Sequence, residues 1–228
     1  GKPYLPIFLR ETASKMYYRK SPFNSYLSHY IKKYNCDVFI CPEKHTTIFD
    51  FLYQLKNSGG AEKFDYVIAH IGVVDFSPRP LKEVLPILNL KKHKIIEVFG
   101  QDFYSNISNI DVYPQEYMGQ QTASLLSEKH IEIIAEKFNS ISNFIWITCN
   151  PVDVSWRGNY MRDRPLNINM VNEKSVLLKN KLNTKIGIID ITDWSIEEVH
   201  QYTCDNIHLS IKGMNLIKNK IELWISKN

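Results

Sequence analysis

The stretch Tyr66-Val67-Ile68-Ala69-His70-Ile71 constrains the fold more than any other part of the chain. It is apolar at nearly every position, so a strand built from it has no face to give to water. Such a strand belongs in the centre of a parallel sheet with a layer packed on either side. Further short apolar runs of strand character recur at residues 4–9, 37–41, 143–149 and 185–191. Between them lie runs with helical spacing. One is opened by Pro22 and carries Phe23, Tyr26, Leu27, Tyr30 and Ile31 on one face. A second runs from Ile48 to Leu55, capped by Thr46 or Thr47 and stopped by Ser58-Gly59-Gly60. The others cover residues 125–138, capped by Ser124 or Thr122, then 167–182 and 211–225. From residue 81 to 117 no period dominates. The alternation predicts an α/β fold, a three-layer doubly wound sandwich around a mostly parallel five-stranded sheet. At 228 residues the chain is expected to form a single domain over 1–228.

Bulk properties narrow the function classes. A formal charge of +4 with dispersed basic residues gives no footing for nucleic-acid binding. Cys36, Cys41, Cys149 and Cys204 show no C-x-x-C spacing, which predicts free thiols in a reducing compartment, the cytoplasm. No apolar run approaches the ~20 residues of a membrane span, and no signal-peptide pattern is present. The first residue is Gly1 rather than Met, as expected of a segment trimmed from something longer. No cofactor is expected. His45, His70, Asp75 and His208 lack the spacing of a metal-ligand motif, so no metal is expected either.

In doubly wound folds, ligands sit outside the C-terminal ends of the strands. Here that rule selects the loops at residues 10–14, 42–46, 72–79, 150–164 and 203–208. The last holds Asp205 and His208, three residues apart ahead of a closing helix. A carboxylate at that distance can orient an imidazole that takes a proton from a hydroxyl. The same pattern also suits a helix N-terminus with a capping Asp and a core histidine. His70 lies within an apolar strand, where a hydrogen-bonded core histidine is the default. Arg10, Arg79, Arg157, Arg162 and Arg164 fall in these loops, and together they suit a cleft for carboxylate or phosphate groups. Trp156 and Tyr160 offer rings for stacking on a sugar or for anchoring their own loop.

On these residues the chain resembles the SGNH (GDSL-type) hydrolase family over nearly its whole length. Asp205-Asn206-Ile207-His208-Leu209 with Gly213 is similar to the family's last block. Gly72-Val73-Val74-Asp75 stands where the family carries Gly-x-Asn-Asp. The longer string from His70 to Pro80 resembles a subgroup associated with bacterial surface-polysaccharide loci. The chain departs from the family in three places. Arg10-Glu11-Thr12 replaces Gly-Asp-Ser, Lys44-His45 has no Gly, and Val74 replaces the oxyanion-donating Asn.

The resemblance implies a carbohydrate O-acyl (acetyl) esterase or O-acyltransferase of bacterial polysaccharide metabolism. Thr12 would be the nucleophile, His208 the general base and acid, and Asp205 its orienting partner. Gly72, Asp75, Arg10, Arg79 and His45 would surround the oxyanion and the substrate. Thr12 reads equally as a loop-capping residue, and Ser14 is a second hydroxyl nearby. Threonine's β-methyl crowds its oxygen, and a lost oxyanion donor costs ~100–1,000-fold in rate unless a backbone N–H replaces it. A module without turnover, binding an anionic glycan or a partner protein of a polysaccharide-synthesis complex, is the second reading. A transferase for a nucleotide or phospho-sugar is the third.

Overall fold

The computed structural model describes residues 25–38, 43 and 45–227. In chain order, helices α1 (Tyr26–Lys33) and α2 (Ile48–Asn57) precede strand β1 (Val67–His70). A one-turn helix α3 (Val73–Phe76) and the short strand β2 (Arg79–Pro80) lead into α4 (Leu81–Phe99) and α5 (Gln101–Ser108). Strands β3 (Val112–Tyr117) and β4 (Gln120–Ala123), helix α6 (Ile131–Asn139) and strand β5 (Phe144–Ile147) follow. Helix α7 (Met170–Lys181), strand β6 (Gly187–Ile189) and helices α8 (Ile196–Tyr202) and α9 (Ile211–Ile225) complete the order.

The architecture is α/β. Strands β1, β5 and β6 form a parallel sheet with β5 in the middle. All four residues of β5 are buried, and they alternate between two cores. Phe144 and Trp146 join Phe49 of α2, Leu88 of α4, Phe138 of α6 and Leu178 of α7. Ile145 and Ile147 join Tyr30 of α1, Val199 of α8 and Ile217 and Ile221 of α9. Each such side chain contributes about 1.5–3 kcal/mol by leaving water. This is why the run reads as continuously apolar: a strand with a helical layer on both faces has no polar side.

Two expectations need correction. Among the described residues the parallel sheet has three strands, not five. Three of the five expected strands form the parallel sheet, the run at 4–9 lies outside the described residues, and the run at 37–41 lies mostly outside them. In addition, β2, β4 and β3 form an unexpected antiparallel sheet. The expected helix over 125–138 starts only at Ile131, after a 3-10 turn capped by Ser127, and Thr122 and Ala123 belong to β4. Residues 81–117 hold a 19-residue helix whose period is masked because Lys91 and Lys94 point into the core. Both lysines pair there with Asp50, at 2.9 and 2.6 Å, and with Glu43, at 2.5 and 2.7 Å. Among the described residues, no helix is long and apolar enough to cross a membrane.

Candidate active site

Strands β1, β5 and β6 run parallel, so their C-terminal ends open onto one edge of the sheet. The loop between α8 and α9 is tied shut in several ways. Thr203 and Leu209 form an isolated antiparallel bridge, and the Cys204 N–H donates to the His208 carbonyl at 2.7 Å. Helix α9 begins with a cap from Ser210 Oγ, which accepts the Gly213 N–H at 3.2 Å. A Cβ at Gly213 would lie 2.0 Å from the Tyr202 carbonyl oxygen, so only glycine allows the first turn of α9 to press against the end of α8.

This closure sets the acid–imidazole pair. Asp205 Oδ1 accepts the backbone N–H of Ile207 at 3.1 Å and of His208 at 2.8 Å, and Oδ2 lies 2.8 Å from His208 Nδ1. Burial pulls the Asp205 pKa up, but the bonds to His208 and Ile207 outweigh it and hold the carboxyl below its ordinary range. Asp205 is fully buried, whereas 43% of the His208 side chain is exposed. An Nδ1–H held on the carboxylate leaves Nε2 as the acceptor facing solvent, the arrangement of an oriented general base. His70, at the end of β1, lies 3.0 Å from Tyr26 Oη through its Nδ1. His70 is exposed at the strand end and is not the core histidine expected from the apolar run around it.

The loop after β5 is bolted to this site by Asn206, a residue the sequence reading passed over. Its Oδ1 accepts the Asp153 N–H at 2.8 Å, and its Nδ2 donates to the carbonyls of Asp153, at 3.1 Å, and of Trp156. Asn206 takes φ +74°, a left-handed conformation that asparagine tolerates better than most side chains. Its position inside the Asp-x-x-His loop was the available signal. Arg164 Nη2 donates to the Asp205 carbonyl at 2.6 Å and lies 3.6 Å from Oδ2. A second acid–imidazole pair had no local signal, because its members are far apart in sequence. His200 Nε2 lies 2.8 Å from Asp153 Oδ2, with the Trp156 ring 4.3 Å from the His200 ring. It borders a cleft of about 580 Å³ also lined by Asn159, Gln201, Ser210 and Lys212.

No family model, curated protein or solved structure matches the chain. The site is therefore judged on its geometry. Asp205 and His208 are brought together as expected. Gly72 opens α3 at φ +122°, where an added Cβ would come within 3.0 Å of the Phe76 ring. Arg79 Nη2 donates to the Val74 carbonyl at 2.8 Å. His45 is half-buried in the loop ahead of α2, at φ +63°. Asp75 is turned away from solvent: it is fully buried, and its Oδ1 accepts the Ile48 N–H at 3.0 Å at the start of α2. That bond makes it a cap for α2 rather than a group facing open space. Thr12, Arg10 and Ser14 lie outside the described residues. Among the described residues, no cluster of His, Cys, Asp or Glu has the arrangement of a metal site.

Proposed function

We propose that the chain is an SGNH-type enzyme acting on acyl esters of a carbohydrate, as an O-acetyl esterase or O-acyltransferase of bacterial surface-polysaccharide metabolism. One observation carries this reading. A half-exposed imidazole at the C-terminal edge of a parallel sheet is oriented through Nδ1 by a buried carboxylate, at 2.8 Å. In the proposed mechanism, Thr12 attacks the acyl carbon as His208 Nε2 takes its proton. Asp205 stabilises the imidazolium, which then protonates the departing sugar oxygen. The acyl group passes from Thr12 to water in hydrolysis, or to a second sugar hydroxyl in transfer. Backbone N–H groups near Thr12 and Gly72 would stand in for the side-chain donor that Val74 lacks.

The test is turnover of a short aryl acetate by the wild type, His208→Ala and Thr12→Ala. Removing the base is expected to lower kcat by roughly 100- to 10,000-fold. Equal rates in wild type and His208→Ala would dismiss the enzyme reading. The loss of the Asn donor at Val74 favours a second reading, an SGNH-like module that binds an anionic glycan without turnover. It predicts ligand binding that survives Thr12→Ala.

A further inference from the structure

Buried polar atoms without partners are rare in folded proteins, and a group of them in one place marks room for something absent. Among the described residues, the buried side-chain atoms lacking a hydrogen-bond partner are Asp75 Oδ2, Arg79 Nε, Arg164 Nε and Asn167 Oδ1. Asp75 belongs to the start of α2, whereas Arg79, Arg164 and Asn167 are linked through the antiparallel sheet and the loop after β5. Arg79 and Pro80 pair with Ala123 and Thr122, and Thr122 Oγ1 accepts from Asn167 Nδ2 at 3.0 Å. Tyr117 Oη donates to the Asp163 carbonyl at 2.9 Å, closing the antiparallel sheet onto the loop that carries Arg164. The Arg164 guanidinium lies 4.0 Å from the centre of the Tyr160 ring, and the same tyrosine is within electrostatic reach of Arg79.

The charge balance here is incomplete. Among the described residues Arg79 forms no ion pair, and its Nη2 donates to the neutral Val74 carbonyl. Burial lowers the pKa of both arginines, more than the acids and tyrosines around them restore. Arg164 shares the Asp205 carboxylate with His208, at 3.6 Å, and Asp75 and Glu83 act on Arg79 only from beyond ion-pair distance. A desolvated guanidinium with so little counter-charge is costly, and an anion relieves the cost. The planar fork of arginine matches carboxylate and phosphate oxygens in particular.

We infer that Arg79 and Arg164 form an oxyanion-recognition site, taking a carboxylate or phosphate group of a molecule bound beside His208. Only the placement beside His208 rests on the esterase reading. The anion site stands on the two arginines themselves.

Calorimetric titration of the whole chain with inorganic phosphate and with acetate, at ionic strength fixed with chloride, tests it. One saturable site is expected, weakened about tenfold or more by Arg79→Gln or Arg164→Gln and unchanged by Lys181→Gln, an exposed lysine at the end of α7. Preference for phosphate assigns a phosphate ester, and preference for acetate a carboxylate. Should either arginine variant fail to fold, phenylglyoxal modification of the wild type replaces it. Arg79 and Arg164, located by mass spectrometry, are expected to be protected by the bound anion while Arg162 is not. No binding beyond chloride, equal binding in a folded Arg79→Gln variant, or no protection would overturn the site. Aryl acetate turnover separates the two ideas. Anion binding without turnover sinks only the esterase, and His208-dependent turnover without anion binding sinks only the anion site.

Discussion

Asp205 grips His208 at two points: Oδ2 stands 2.8 Å from the ring Nδ1, and Oδ1 takes the backbone N–H of the same residue at 2.8 Å. One carboxylate therefore fixes both the ring and the peptide that carries it, with little left for χ1 to explore. A base that needs no reorganisation at the moment of proton transfer is what such fixation provides. The Arg164 bond to the Asp205 carbonyl holds the carboxylate's own backbone in place.

Asp205→Asn is expected to keep an acceptor for the two backbone N–H groups while offering an N–H to the ring. The imidazole then takes the opposite tautomer and loses its outward acceptor. Aryl acetate turnover is expected to fall on the order of 1,000- to 10,000-fold. Stability changes with pH in a defined sense. The folded pKa of Asp205 lies below its unfolded value. Its stabilisation is therefore complete above about pH 4 and disappears as pH falls through the folded pKa. Urea unfolding of the two proteins should differ at pH 7 and converge in strong acid. A gap that widens in acid would contradict the assignment.

Asn206 supplies a test of how the second loop is held. Asn206→Ala removes the bonds to Asp153 and Trp156 and leaves a β-carbon in a left-handed conformation. Asn206→Gly loses the same bonds without that strain. The alanine variant is expected to be less stable than the glycine variant by about 1–2 kcal/mol. Both should unfold at lower urea concentration than the wild type. Equal midpoints for alanine and glycine would mean that the loop relaxes when the amide is gone.

The layers were legible because β5 is buried on both faces, and β1 and β6, buried on one face and partly covered on the other, also carry largely apolar runs. The antiparallel sheet was not, for an equally physical reason. Strand β3 is Val-Tyr-Pro-Gln-Glu-Tyr, mostly solvent-facing and interrupted by Pro114, so no alternation marks it. Helix α4 hid behind Pro86, which falls in its second turn, and behind the inward lysines. At the site, Asp205 and His208 were readable because a three-residue spacing is a local property. Asp153–His200 and Arg164–Asp205 were not, since these pairs join residues 47 and 41 positions apart.

The inward lysines make a strong prediction of their own. Lys91 is fully buried and Lys94 nearly so, and Asp50, itself buried, pairs with both. Asp50 also accepts from the Thr47 N–H at 2.9 Å in the capping box of α2. Asp50→Ala leaves two desolvated ammonium groups short of an anion, a loss of about 3–5 kcal/mol. Glu43→Gln, at the more exposed end of the cluster, should cost distinctly less. Chemical denaturation at pH 7 orders the two, and the reverse order would place the anchor of the cluster at Glu43.

Asp75 behaves in the opposite sense to Asp205. Burial pushes its pKa up to about 8, Asp50 adds to the rise, and the Ile48 N–H and Arg79 oppose it. The unfolded chain loses this proton near pH ~3.9, so between that value and about pH 8 the folded state holds a proton the unfolded state lacks. Stability must then decline as pH rises through the window, by at most about 1.4 kcal/mol per pH unit. Asp75→Asn has no proton to lose and retains Oδ1 for the Ile48 N–H. Relative to the wild type it should gain stability steadily from pH 5 to 8, read as the difference in urea midpoints. A difference that stays flat across that range would mean the carboxylate is already ionised beside Arg79. The orphaned Oδ2 would then be an anion in its own right, and Arg79 would have its counter-charge without a ligand.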